Sequence, residues 1–276
     1  MKTKKSFFHI IIFAIIIFIS CRNQSEIQMP ERGICAHRGA SATHPENTMA
    51  AFKEAVRLGA HMIEFDVRQT KDGKLVVIHD SSLDELTNGT GQVADRTLAE
   101  IQALDGGSWK DSKFSEEKIP TFIEVLKLMP VNIWLNIHVK ADSIDVSEIV
   151  ETIISEDRLH QSVLACKEEI ALAAREIDDR LLICNMDRAG STAEYVKNTI
   201  SMDANFIQLK TRADSVLSTI IPQLKQHHIK INYYGVDSKE KLQKLYDAGV
   251  DFPLINDVGQ FINSCGIKPL VPKYQK

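Results

Sequence analysis

The chain has no hydrophobic run long enough to cross a bilayer. Its longest, Phe7–Ile19, spans 13 residues and is interrupted only by His9, whereas a hydrocarbon core about 30 Å thick needs roughly 20. There is no Cys-x-x-Cys pair and no dense cysteine spacing, so no disulfide framework is expected even in an oxidising compartment. Basic clusters are also missing beyond Lys2, Lys4 and Lys5. With a net charge of −4 for the full chain, and more negative without those lysines, a nucleic-acid partner is excluded.

The short apolar run has a different use. A basic start, an apolar stretch of this length, and Ser20 before Cys21 resemble a bacterial lipoprotein signal, with Cys21 as the lipidated first residue of the mature protein. This implies a signal peptide over residues 1–21, a polar tether over 22–32, and a domain over 33–276. The expected location is the periplasm or cell envelope, with the protein anchored to a membrane by its lipid. Of the remaining cysteines, Cys35, Cys166 and Cys184 sit inside apolar runs and read as small buried hydrophobes.

A mature chain of about 255 residues suits one (β/α)-barrel as well as two small domains. Apolar, β-branched runs decide for the barrel. They fall at Ile34–His37, His61–Val67, Val131–Val139, Ser162–Cys166, Leu181–Asn185, Asn205–Leu209, Ile229–Tyr234 and Phe252–Ile255. Helical patterns separate most of them, as at Thr48–Leu58, Ile119–Leu128, Ile144–Ile154, Glu168–Ile177 and Lys239–Ala248. Eight near-continuous apolar strands alternating with helices predict a parallel sheet closed as a TIM barrel. Leu75–His79 breaks the alternation, because it follows the second strand too soon for a helical crossover. Asp72-Gly73 predicts a two-residue hairpin there.

Chemistry concentrates in two stretches, ICAHRG and MIEFDVRQTKDGKLVVIHD. They contain His37, Arg38, Glu64, Asp66, His79 and Asp80. A two-residue hairpin would pair Asp66 with His79 on one face, which Glu64 shares through the period of two. His37 ends the neighbouring strand and joins them at the carboxyl-end mouth, where barrel enzymes place their sites. Two histidines suit proton transfer near neutral pH, and paired carboxylates suit a hard cation.

The pattern HRGAS…PENT…IEFDV…TKDG…LVVIHD resembles the glycerophosphodiester phosphodiesterase family, densely over residues 34–140 and more thinly to about 257. The resemblance implies hydrolysis of glycerophosphodiesters to sn-glycerol 3-phosphate and an alcohol. It makes His37 and His79 the general base and acid, and has Glu64 and Asp66 hold one divalent metal ion. Arg38 and Lys140 fall to the phosphate. Glu46 and Asn47 of PENT read as structural, with Asn47 or Thr48 capping the first helix. Where the family's fourth strand reads LNIEIK, this chain reads LNIHVK, placing His138 at the third metal position. Magnesium or calcium is expected, with manganese or zinc open because of the imidazole. Glu85 replaces a usual arginine, and Tyr234, standing where the family has a tryptophan, would offer an aromatic wall to the substrate alcohol. Residues 80–118, with Trp109 and Phe114, match a small insertion over the mouth. A different diester (a lysophospholipid, or a sugar- or inositol-linked one) and a barrel that binds phosphate esters without turnover remain alternative readings.

Overall fold

The computed structural model describes residues 27–140 and 144–275; Cys21 and its leader lie outside the described residues. Among the described residues nine strands occur, in chain order β1 (Cys35–His37), β2 (Met62–Gln69), β3 (Leu75–Val77), β4 (Trp134–Val139), β5 (Ser162–Cys166), β6 (Leu182–Asn185), β7 (Phe206–Lys210), β8 (Lys230–Tyr234) and β9 (Phe252–Ile255). All except β3 run parallel, each paired to the next, and β9 returns to β1, so the eight strands close into a barrel. The strands are apolar on both faces because both are covered. Ile63, Phe65, Leu135, Ile137, Leu164 and Ile183 point outward to the helices. Met62, Trp134, Val163, Cys184, Phe206 and Phe252 fill the interior below the mouth.

Several of the helices around the barrel begin where a side chain bonds a free amide. Thr48 caps α1 (Met49–Leu58), accepting from the Ala51 amide. A short α2 (Leu98–Gln102) lies in the insertion. The helix expected over Ile119–Leu128 starts later, as α3 (Phe122–Leu128), because Thr121 and Glu124 form a reciprocal capping box. Then come α4 (Val146–Ser155), α5 (Glu168–Ile177), α6 (Thr192–Ser201), α7 (Leu217–Gln226), α8 (Lys239–Ala248) and α9 (Val258–Phe261).

The hairpin differs from expectation by one residue. Partners are Val67 with Val77, Arg68 with Val76 and Gln69 with Leu75, so the loop holds three residues, Lys71, Asp72 and Gly73. Side chains at the turn set this length. Thr70 Oγ1 donates to Asp72 (2.6 Å) and accepts from the Lys74 amide (3.0 Å). Gly73 takes φ +76°, the left-handed residue that three-residue hairpin loops call for. Asp66 therefore lies opposite Ile78, whose amide donates to the Asp66 carbonyl (3.0 Å), and not opposite His79. A one-residue slip would send His79 to the other face, yet β3 ends at Val77 and the chain leaves the regular strand before His79.

The insertion has a small core of its own, with Val76, Ile78, Leu83, Val93, Ile101 and Ile119. It packs on the loop after β1 and on α1. Lys110 donates to the Ser41 carbonyl (2.9 Å), Glu117 accepts from the Ala50 amide (3.1 Å), and Phe114 meets the His44 ring (5.1 Å). Both ends of the described chain lie at the opposite pole. The Pro30 carbonyl accepts from Trp134 Nε1 (2.9 Å), and the Lys273 carbonyl accepts from the Val131 amide (2.7 Å).

Candidate active site

Strand register assembles the site. His37 is level with Glu64, and Asp66 with His138. All four continue the inward faces that begin with Cys35, Met62 and Trp134, one or two steps nearer the mouth. On β2 the edge used by β1 ends at Glu64, and β3 takes over that edge from Val67. Running antiparallel, β3 brings the chain back down to the mouth at His79.

Glu64 and Asp66 are almost wholly buried, so both need partners. Ligand atoms of Glu64, Asp66 and His138 all lie within 4.8 Å of one another. His138 Nδ1 stands 3.0 Å from Asp66 Oδ1 and 3.7 Å from Glu64 Oε1. Arg38 donates its amide to Glu64 Oε2 (3.1 Å), brings Nε within 3.4 Å of Asp66, and bonds Glu46 through Nη1 (2.7 Å). Lys140 Nζ is 3.8 Å from Asp66 Oδ1. Glu46 thus anchors Arg38, as a residue shaping the mouth should.

Charge balance follows. Burial opposes ionisation of Asp66, but the hydrogen bond from His138 and the charge of Lys140 outweigh it and hold this carboxyl far below its usual range. Burial likewise disfavours charged His138, yet its bond to Asp66 and the nearby Glu64 carboxylate lift its pKa above the ordinary imidazole value. Lys140 is lowered by burial, against the pull of Asp66 and Glu64.

The two remaining histidines are each fixed through Nδ1. His37 donates to Asn256 Oδ1 (2.7 Å), leaving Nε2 turned towards Glu64 at 3.9 Å. His79 bonds the Asp80 carboxylate (2.7 Å), leaving its Nε2 for a second partner. The Tyr234 ring sits 5.0 Å from His37 and is 44% exposed, so one aromatic face is open to a ligand. Two imidazoles with open Nε2 atoms around a buried donor set and two cations can move protons on a phosphate ester while neutralising its charge.

Residues 37–260 match the glycerophosphoryl diester phosphodiesterase family. The chain belongs to that family. It is 35% identical over 248 residues to the glycerophosphodiester phosphodiesterase of Caldanaerobacter subterraneus subsp. tengcongensis, covering 83% of this chain and 96% of that one. A glycerophosphodiester phosphodiesterase structure from Agrobacterium tumefaciens superposes with a TM-score of 0.72 at 27% identity, covering 84% of this chain and 98% of the other. An Oleispira antarctica phosphodiesterase, solved with the product sn-glycerol-3-phosphate, shares the fold with a TM-score of 0.70 at 22% identity, covering 86% and 96%. This barrel is accordingly a phosphoric diester hydrolase for glycerophosphodiesters.

In this phosphodiesterase the residues predicted for the site, His37, Arg38, Glu64, Asp66, His79, His138, Lys140 and Tyr234, all face the mouth. Cys21, the predicted lipidation site, lies outside the described residues. Two contributors were not foreseen. Asn47 is not the helix cap; it takes φ +57°, donates to Asp66 Oδ2 (3.0 Å) and accepts from the Asp66 amide (3.3 Å). Asn256 orients His37 from just beyond β9. The PENT motif signalled Asn47, but a cap is the commoner use of asparagine before a helix. No local signal marked Asn256.

Proposed function

We propose that the phosphodiesterase works by proton transfer between His37 and His79, at a divalent cation held by Glu64, Asp66 and His138. His37 Nε2 takes the proton of the substrate's glycerol hydroxyl as that oxygen forms its bond to phosphorus. His79 Nε2 delivers a proton to the alcohol oxygen as its bond to phosphorus breaks. Water then opens the cyclic phosphate with the two roles reversed, leaving sn-glycerol 3-phosphate. Arg38 and Lys140 bind the phosphoryl oxygens, and Tyr234 lies along the glycerol. A bound divalent ion supplies further charge neutralisation there. Two carboxylates with one imidazole admit manganese or zinc beside magnesium or calcium. The supporting observation is that each histidine has Nδ1 tied to an acceptor, with His37 Nε2 3.9 Å from buried Glu64.

The test uses His37→Ala and His79→Ala, with release of sn-glycerol 3-phosphate as the readout. Each variant should lose about 10²–10⁴-fold in kcat with little change in Tm. Near-full activity in either would remove the two-histidine mechanism. A cleft beside His79, lined by Arg68, Asp80, Ser82 and Glu85, has room for the leaving alcohol.

His138 stands 3.0 Å from Asp66 and 3.7 Å from Glu64, and metal content of the purified protein, measured beside activity on a panel of diesters, tests this donor set.

We also propose that the mature protein is held to a membrane through acylated Cys21, on the strength of the leader pattern. Wild-type protein should appear in the membrane fraction, and Cys21→Ser should release it or leave it unprocessed. A wholly soluble wild type with an amino terminus elsewhere would refute the anchor.

A further inference from the structure

His79 stands two residues beyond the end of β3, where ladder hydrogen bonds have stopped; the last is from the Ile78 amide to the Asp66 carbonyl. What holds its peptide is Arg68, near the top of β2. Arg68 Nε and Nη2 both donate to the His79 carbonyl, at 2.9 and 2.7 Å. From the same planar group, Nη1 donates to the Lys140 carbonyl at 3.2 Å. Among the described residues no carboxylate pairs with Arg68, so the fork is used entirely on main chain. It ties together the two segments that leave the mouth with His79 and with Lys140.

We propose that Arg68 is a positioning residue for the general acid. Its guanidinium fixes the His79 peptide, so that the ring, braced at Nδ1 by Asp80, presents Nε2 to the leaving oxygen. A charged donor makes the stronger hydrogen bond, and a rigid fork loses less freedom than a flexible ammonium. Lysine has the charge but not the geometry to reach both carbonyls at once. The inference rests on the reading of His79 as the acid.

That dependence sets the experiment. An alkoxide leaves poorly unless protonated, whereas a nitrophenolate leaves unaided. His79→Ala, Arg68→Lys and their double variant are compared on an alkyl glycerophosphodiester and on the p-nitrophenyl ester of glycerol phosphate, by the single-turnover rate of leaving-group release, because the later opening of the cyclic phosphate draws on His79 for both esters. Displacing a catalytic group by about 1 Å costs up to about 100-fold, so Arg68→Lys should lose about 10- to 100-fold in that rate on the alkyl ester. KM should stay within about twofold, and the nitrophenyl ester should lose less than about threefold. The double variant should be no worse than His79→Ala. Added guanidinium ion should restore part of the alkyl-ester activity to Arg68→Ala, an effect that lost stability alone would not show. Arg68→Gln serves in the same comparison if the lysine variant does not fold. Equal losses on both esters, or additive losses in the double variant, overturn the role of Arg68. Equal losses in His79→Ala overturn the acid assignment, and the inference falls with it.

Discussion

At residue 138 an imidazole stands where the resemblance implies a carboxylate, and its surroundings fix how it must respond to pH. Its pKa is raised because, despite burial, it bonds Asp66 and lies beside the Glu64 carboxylate. A raised folded value means that its attraction to the carboxylates is fully present below the usual imidazole pKa. That stabilisation is lost as pH rises through the elevated value. Metal binding has the opposite sign, since only the neutral ring can ligate and the ion must displace a proton. Affinity for a divalent ion should therefore climb about tenfold per pH unit below the elevated value and level off above it. Calorimetric titrations across pH 6–9 (a window of roughly half a unit below to about two and a half above the ordinary imidazole value) would show this slope. His138→Glu should flatten it and favour magnesium or calcium. A wild-type affinity that does not change with pH would show that His138 is not a ligand.

Among the elements, the β2–β3 hairpin shows how much a turn decides. Its existence was legible from Asp72-Gly73 between two apolar runs, but its register was not. Thr70 supplies side-chain hydrogen bonds that lengthen the loop by one residue, and sequence alone does not say whether a threonine will bond locally or to solvent. Gly73 holds φ +76°, and an added Cβ would meet only Gln69 Nε2 at 4.0 Å. The cost of Gly73→Ala is then backbone strain alone, about 1 kcal/mol, or about 2–4 °C in Tm for a domain of this size. Gly73→Asn should cost less. Because Arg68 independently holds the His79 peptide, kcat should not fall in either variant. Thermal melts and steady-state rates on the same samples would check both parts.

For the whole molecule, the barrel places its working end and the ends of the described chain at opposite poles. Between them, β2 is held by an aromatic stack outside the barrel: Phe65 lies 5.8 Å from Phe52 on α1 and 6.2 Å from Phe122 on α3. Phe65 is fully buried and stands between Glu64 and Asp66 in sequence. Phe65→Ala should cost about 3–5 kcal/mol, and the slackened strand should also weaken metal binding. Denaturant unfolding with and without the ion measures both effects. A loss below about 1 kcal/mol would show that the stack contributes little, since even one deleted core methylene is worth about that much.

By itself the sequence determined the architecture, because each strand and helix carries its signal locally, in apolar runs of the right length and in caps and turns at their ends. The period of two also settled that Glu64 and Asp66 share a face, and barrel connectivity put His37 beside them. The tertiary structure alone decided who touches whom. His138 meets Asp66 across 72 residues of chain and Asn256 meets His37 across 219, while Asn47 leaves the helix cap to Thr48 and goes to Asp66. Periodicity states which way a side chain points but not what lies opposite. In a parallel barrel that second fact comes from inter-strand register, set by packing between segments far apart in sequence.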